Sequence, residues 1–330
     1  MRAWMTALAL CSPLPAMAAC GDVPDPVVSL SFESRYAADD PSRSKIDIEA
    51  EAAAKQALAD LDRFISDLSK RSDQSADAGD RDGAACVMAA LATWAQADAL
   101  SDLVGDTVQL TIGSRIAALA MIAAQVAPAA STSDTSAVSA WLARRVESQM
   151  TFWETASEGA ASGNLRAWAA LAAAATSLLT QDAVTRGWAA WSLSYVACTA
   201  APDGSLPQEM RRKQLALHYQ VHAVAPMAVT AALLEQQGMS VMNRCGHALD
   251  RIVDFTLNDL AAGGVASAIH AGEPQTLNAG IGGLEDFQLS WAEAWLSLRA
   301  NPELEATIAP RRPLRYSKLG GNQTRLWSAR

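Results

Sequence analysis

The chain has 330 residues, half of them apolar, and a formal net charge of −9. That acidity argues against nucleic acid as a partner. The Ala-rich composition, poor in Val/Ile/Thr/Tyr runs, excludes a strand-rich architecture.

The first eighteen residues read as a secretory signal, with Arg2, an apolar run Trp4 to Leu10, and the small-residue site Ala16-Met17-Ala18. The run is far shorter than the roughly 20 residues that span a bilayer. The expected product is therefore exported to the periplasm, cleaved near Ala18, and free of a membrane span. A lipoprotein anchored through Cys20 is the rival reading. Residues 19–330 are long enough for one large domain, expected to act as a monomer. Cys20, Cys86, Cys198 and Cys245 remain after cleavage, an even number that suits disulfides in an exported chain. Three connectivities are open; Cys20–Cys86 with Cys198–Cys245 is preferred.

Helical periodicity predicts segments Asp47–Leu68, Ala84–Leu100, Gln109–Val126, Ala137–Thr155, Leu165–Leu179, Gln181–Cys198, Gln208–Gln237, Ser240–Ala261 and Phe287–Arg299. Breaks fall at Asp73–Gly83, Ala127–Ser136, Gly159–Gly163, Ala201–Pro207 and Gly263–Gly283. Helices of this length with short joints suggest antiparallel hairpins, as a toroid or a bundle. Gly263–Gly283 is long and Gly-rich, the composition of a mobile flap. Arg35–Lys45, rich in charge ahead of the first helix, reads equally as a flap or as a disordered leader.

The richest chemistry lies in Arg211–His222. Read as one helix, it places Arg212 and Tyr219 two turns apart on one face, with His222 one turn further. A guanidinium, a phenol and an imidazole on one stripe can grip a carboxylate and move a proton beside it. Basic residues also cluster at Arg144-Arg145 and Arg311-Arg312, with Arg315 and Lys318 behind, so a cleft can be positive in an acidic protein. His218 and His222 have the spacing of helical metal ligands, but a third ligand is not evident, so no metal is expected. Serine-hydrolase and phosphate-loop motifs are missing, and no cofactor is expected. Most Trp residues read as core, with one or two free to stack on sugar rings.

Together these pieces resemble the periplasmic alginate (polymannuronate) lyases, family five of the polysaccharide lyases. The resemblance runs from Cys20 nearly to the C-terminus. It rests on Cys20-Gly21-Asp22-Val23-Pro24, Phe32-Glu33-Ser34-Arg35-Tyr36, Cys86 followed by Trp94 to Leu100, Asp203 to Met210, the Arg211–Tyr219 run, Ala225-Pro226, Lys318 to Gly321, and Thr324-Arg325. It implies an all-α (α/α) toroid, an incomplete α/α barrel of antiparallel helix hairpins with a long cleft. It implies β-elimination on an anionic, uronate-containing polysaccharide. By that likeness Arg212 and Asn164 neutralise the uronate carboxylate, Tyr219 exchanges protons, and Arg35 belongs to a lid loop.

One departure is expected to matter. Where the family has Asn-Asn-His-Ser-Tyr-Trp, this chain has Gly163-Asn164-Leu165-Arg166-Ala167-Trp168, so Leu165 stands where the catalytic histidine would be. Losing such a group typically costs roughly 10²–10⁴-fold. Two outcomes stay open. In one, Tyr219 serves as base and acid, with His222 assisting and Arg35, Tyr36, Arg166, Trp168 and Arg211 binding neighbouring sugars. In the other, the chain is a catalytically impaired homologue that binds polysaccharide or serves exopolysaccharide assembly.

Overall fold

The computed structural model describes residues 20–328, so the signal-peptide reading lies outside the described residues. A short strand β1 (Ser29–Ser31) is followed by the hairpin of α1 (Ile48–Ala78) and α2 (Arg81–Gln96). Strand β2 (Asp102–Val104) and the short α3 (Asp106–Thr111) lead to α4 (Gly113–Val126) and α5 (Thr132–Thr155). A single turn, α6 (Glu158–Ala161), precedes α7 (Asn164–Thr180) and α8 (Ala183–Ala197). Then come α9 (Pro207–Met210), α10 (Ala216–Gln236) and α11 (Ala248–Ala261). The chain closes with α12 (Val265–Ala271), α13 (Asp286–Leu289), α14 (Trp291–Leu298), α15 (Pro302–Ile308), β3 (Arg315–Tyr316), β4 (Gly321–Asn322) and α16 (Gln323–Trp327).

The long helices alternate between two layers. Inner neighbours α1, α4, α7, α10 and α14 pack in succession, and α2, α5, α8 and α11 pack in succession outside them. This is the expected α/α toroid, left incomplete, with the C-terminal segment packed against both α14 and α1. The inner helices explain the Ala-rich composition. Three of them, α4, α7 and α10, are enclosed on nearly all sides and bury most of their residues. Small side chains let such helices approach closely without a polar face to solvate. Trp94, Trp141, Trp153, Trp168 and Trp291 fill the larger gaps as core. Both preferred disulfides are formed, Cys20–Cys86 and Cys198–Cys245, with Cα separations of 5.0 and 5.4 Å.

Several expected boundaries are corrected. The first helix continues to Ala78, through the polar stretch read as a break. Its last turns face the C-terminal segment, where Asp73 accepts from the Asn322 backbone N–H at 3.0 Å and from Arg325 at 2.7 Å. Gly263–Gly283 is no flap over its first half, since it carries α12 between Gly264 and Gly272, both at positive φ. The Asp259 carboxylate anchors this turn by accepting from the backbone N–H groups of Ala266 (2.6 Å) and Ser267 (2.9 Å). The eleventh helix starts at Ala248 rather than Ser240, because Cys245, Gly246 and His247 all take left-handed φ. The span Gln208–Gln237 is likewise interrupted: Lys213 sits at φ 50°, which separates α9 from α10.

Arg35–Lys45 is an ordered strap. The parallel β1–β2 pair fixes its root, and Tyr36 bridges to Ile46. Asp40 is its knot, accepting from the backbone N–H groups of Ser42 (3.1 Å), Ser44 (2.7 Å) and Lys45 (2.7 Å). The Ser42 hydroxyl bond to the same carboxylate, with these others, holds Asp40 far below the usual carboxylate range against the cost of desolvation. Gln214 ties the strap down by donating to the Ser44 carbonyl at 3.2 Å.

Candidate active site

A cleft of about 570 Å³ opens between the strap, the cleft-facing side of α1, the first turns of α7 and α10, and the C-terminal segment. Tyr219 lies in the first turn of α10, only 5% exposed. Its hydroxyl accepts from Arg35 Nη2 at 2.9 Å. The same nitrogen donates to the Tyr36 hydroxyl at 3.0 Å, while Arg35 Nη1 lies 3.6 Å from Glu51. Arg212, in the turn ahead of α10, covers the other side of the phenol. Its guanidinium carbon is 3.9 Å from the Tyr219 ring centroid and 5.1 Å from that of Tyr36. The expected juxtaposition therefore arises, though by a broken turn folding back rather than along a continuous helix.

Burial depresses the Arg212 guanidinium, and nearby Tyr36 and Glu209 oppose that effect. An arginine starts so high that it stays charged. Two cations thus flank one phenol, an arrangement that stabilises negative charge on its oxygen.

Asn164 opens α7 and reaches the cleft wall. Its amide nitrogen donates to both oxygens of Glu209, at 3.1 and 3.0 Å, and its backbone N–H donates to Oε1 at 2.7 Å. Glu209 is almost fully buried, and desolvation raises its carboxyl above the usual range despite those bonds and Arg212. Gly163 makes this approach possible, because a Cβ there would stand 2.8 Å from Glu209 Oε1. A residue to which the sequence reading gave no role thus sets the orientation of one that had a role.

His222 also lines the cleft, yet it does not reach the phenol. Its Nε2 accepts from the Trp168 indole N–H at 3.0 Å, and its ring stands 6.3 Å from that of Tyr219, nearly perpendicular. That bond places the neutral ring's proton on Nδ1. Burial first, then the charge of Lys318, holds His222 far below its ordinary pKa. The expected assistance of His222 to Tyr219 is therefore corrected. Its one acceptor nitrogen is engaged by Trp168, and the phenol's partner is Arg35.

Tyr36 and Trp168 line the cleft as expected, but Arg166 and Arg211 do not. Arg166 follows Asn164 by two residues, a rotation of about 200° around the helix. It points into the α7–α8 interface, with Nε donating to Ser192 at 3.2 Å. Arg211 ends α9 with its side chain exposed to solvent. Leu165 does form part of the cleft wall.

The sequence reading missed Tyr316 and the Arg115–Asp62 pair at the cleft, and named His218 only for its spacing from His222 and Lys318 only within a basic cluster and a motif; both also line the cleft. Arg115 grips Asp62 through two 2.8 Å bonds. Burial, aided by Arg115, brings the Lys318 ammonium down to about 8, and burial pushes Tyr316 up to about 12. Gly320 helps to place Lys318. At φ 86° it lets the C-terminal segment lie on α4, where a Cβ would stand 2.6 Å from that of Met121. The Lys318-Leu319-Gly320-Gly321 motif was the available signal. Among the described residues, no three His, Cys, Asp or Glu side chains gather to hold a metal.

The alginate lyase family model matches residues 101–265. An alginate lyase of Pseudomonas syringae pv. syringae (strain B728a) is 26% identical over 317 residues, covering 93% of this chain and 82% of that protein. One from Pseudomonas fluorescens (strain Pf-5) is 26% identical over 324 residues, covering 93% and 84%. Alginate lyase A1-III of Sphingomonas species A1 superposes with a TM-score of 0.77 at 19% identity, covering 96% of this chain and 89% of that one. A histidine-to-alanine variant of A1-III, complexed with a tetrasaccharide, gives 0.79 at 20% identity, covering 96% and 88%. With its inner and outer helix layers and its Arg-flanked phenol, this chain belongs to the alginate lyase family and is a polysaccharide lyase.

Proposed function

We propose that this lyase is exported to the periplasm and cleaves a mannuronan-like polyuronate by β-elimination. The observation that carries the reading is the Tyr219 hydroxyl, held by Arg35 at 2.9 Å with Arg212 stacked on its ring. The uronate carboxylate binds against the Arg212 guanidinium, with Asn164, held by Glu209, beside it. Neutralising that carboxylate acidifies the proton on C5 and stabilises the enolate-like intermediate. Tyr219, as phenolate between two guanidinium groups, takes the C5 proton. The C4–O bond then breaks as the C4=C5 double bond forms, and the new phenol returns its proton to the departing oxygen. One group can serve both steps when proton and leaving group lie on the same side of the sugar ring. With Leu165 in the cleft wall and His222 bonded to Trp168, this route draws on neither position.

Two intramolecular disulfides support export, since such bonds persist in oxidising compartments. No single helix among the described residues is long and apolar enough to cross a membrane. Incubation with a panel of polyuronates, followed by absorbance of the unsaturated product, tests the activity. Polymannuronate should give the fastest rise, and Tyr219→Phe should lower kcat by at least about 10²-fold with binding retained. Product formation by Tyr219→Phe at the original rate would refute the proton route. Binding without product from any polyuronate would favour the impaired-homologue alternative.

A further inference from the structure

Arg166 is the least expected charge in the molecule. It is 3% exposed and, among the described residues, has no carboxylate within ion-pair distance and leaves Nη2 buried without an acceptor. Desolvation should make such an unpaired cation costly. Its compensation is aromatic. The guanidinium carbon lies 4.3 Å from the Trp191 ring centroid, 4.5 Å from Tyr195 and 6.0 Å from Trp188. The Trp188 indole N–H beside it is likewise buried without an acceptor.

A purely structural pillar would bury these rings, and this one does not. Trp191 is 48% exposed and Tyr195 36%, with centroids 5.9 Å apart. Val184, 70% exposed, lies on the same stripe of α8, seven and eleven residues before them. Arg166 and Asn164 share α7 but face opposite sides of it, so this aromatic pair lies outside the catalytic cleft. A cation behind an aromatic ring offsets the negative face that the ring would otherwise present. Such a ring can accept the C–H face of a sugar that carries a carboxylate.

We propose that Trp191 and Tyr195, backed by Arg166, form a second, non-catalytic site on α8 that binds acidic polysaccharide. The choice of a uronate chain rests on the polyuronate reading of the cleft. The charge complementarity of Arg166 supports it independently. Such a site would hold a long polymer while its end or a neighbouring stretch is processed in the cleft, and a short oligomer that fills only the cleft would not need it.

Affinity electrophoresis in gels containing polymannuronate tests the site, with Trp191→Ala/Tyr195→Ala compared with the parent protein. The double variant should lose roughly fivefold or more of its retardation, and its KM for long polymer should rise by a similar factor. Turnover of a tetramannuronate should stay unchanged, and Trp191→Phe should restore most of the retardation. Retardation lost with the rings supports the site whether or not the cleft cleaves the polymer, so the two readings fail separately. Unchanged retardation in the double variant overturns the proposal. Equal retardation of the parent in a neutral glucan gel also overturns it, because Arg166 would then confer no preference for acid sugars. Concentration-dependent self-association of the parent, abolished in the double variant with retardation intact, would assign the face to a second copy and overturn it as well.

Discussion

Arg35 reaches across 184 residues of sequence to donate a 2.9 Å hydrogen bond to the Tyr219 hydroxyl. That bond joins the N-terminal strap to the first turn of α10 and closes one side of the cleft over the phenol. Arg35 is partly exposed, so the bond's contribution is to charge placement on the phenol more than to folding. Arg35→Ala should reduce kcat by about 10–10²-fold, because one of two cations stabilising the phenolate is lost. Arg35→Lys should recover part of it, and thermal unfolding should move little in either variant. Steady-state kinetics with melting curves checks this; a loss confined to KM would make Arg35 a substrate contact only.

Glu209 should act through Asn164. Its carboxylate receives the Asn164 amide and backbone N–H, and among the described residues no other acceptor holds that amide in place. Glu209→Gln keeps the shape but can turn a donor toward the Asn164 amide nitrogen. The expected result is a fall in kcat/KM of about tenfold on uronate substrates, with a smaller effect in Glu209→Asp. Glu209→Ala should also destabilise the fold by about 1–3 kcal/mol, since buried donors lose their acceptor. Kinetics and denaturant unfolding of the three variants separate the two effects.

The sequence was most informative where chemistry and local pattern coincide. Arg212, Tyr219, Asn164, Arg35 and Tyr36 reach one cleft as expected from the resemblance, and the inner helices follow the Ala-rich periodicity. It was least informative where a contact partner lies far along the chain. The polar end of α1 is helical because Asn322 and Arg325 satisfy Asp73, some 250 residues away. Arg166 looked like a cleft cation only while the rotation of α7 between it and Asn164 was ignored. Glu209 and Lys318 carry no signal of burial in their own neighbourhoods; the fold encloses them.

His222 should be dispensable for proton transfer yet visible in stability. Its imidazole is half-buried in the cleft wall and kept neutral by desolvation, so the folded-state pKa lies well below the ordinary value near 6.5. Between those two values the unfolded chain binds a proton that the folded chain does not, so stability falls as pH drops below about 6.5. His218, also depressed by burial, adds to the same trend. In His222→Gln the amide oxygen can still accept from Trp168, and the site no longer titrates. Its kcat should stay within about threefold of the parent, and its melting temperature should decline less steeply between pH 6.5 and 5. A loss approaching 10²-fold in kcat would restore His222 to the proton route.

Lys318 should set an upper pH limit on binding. Its ammonium faces the cleft and titrates near 8, lowered by burial and by Arg115. A bound polyanion favours the charged form, so affinity is greatest below that value and is lost as pH rises through it. The KM for a polyuronate should therefore climb several-fold between about pH 7.5 and 9. In Lys318→Met the KM should begin high and remain flat over that range, because no charge is left to lose. Lys318→Arg should begin low and remain flat, since a guanidinium does not deprotonate there. KM–pH profiles of the three proteins at constant ionic strength check this, and a profile in Lys318→Met that still climbs would move the titrating cation elsewhere in the cleft.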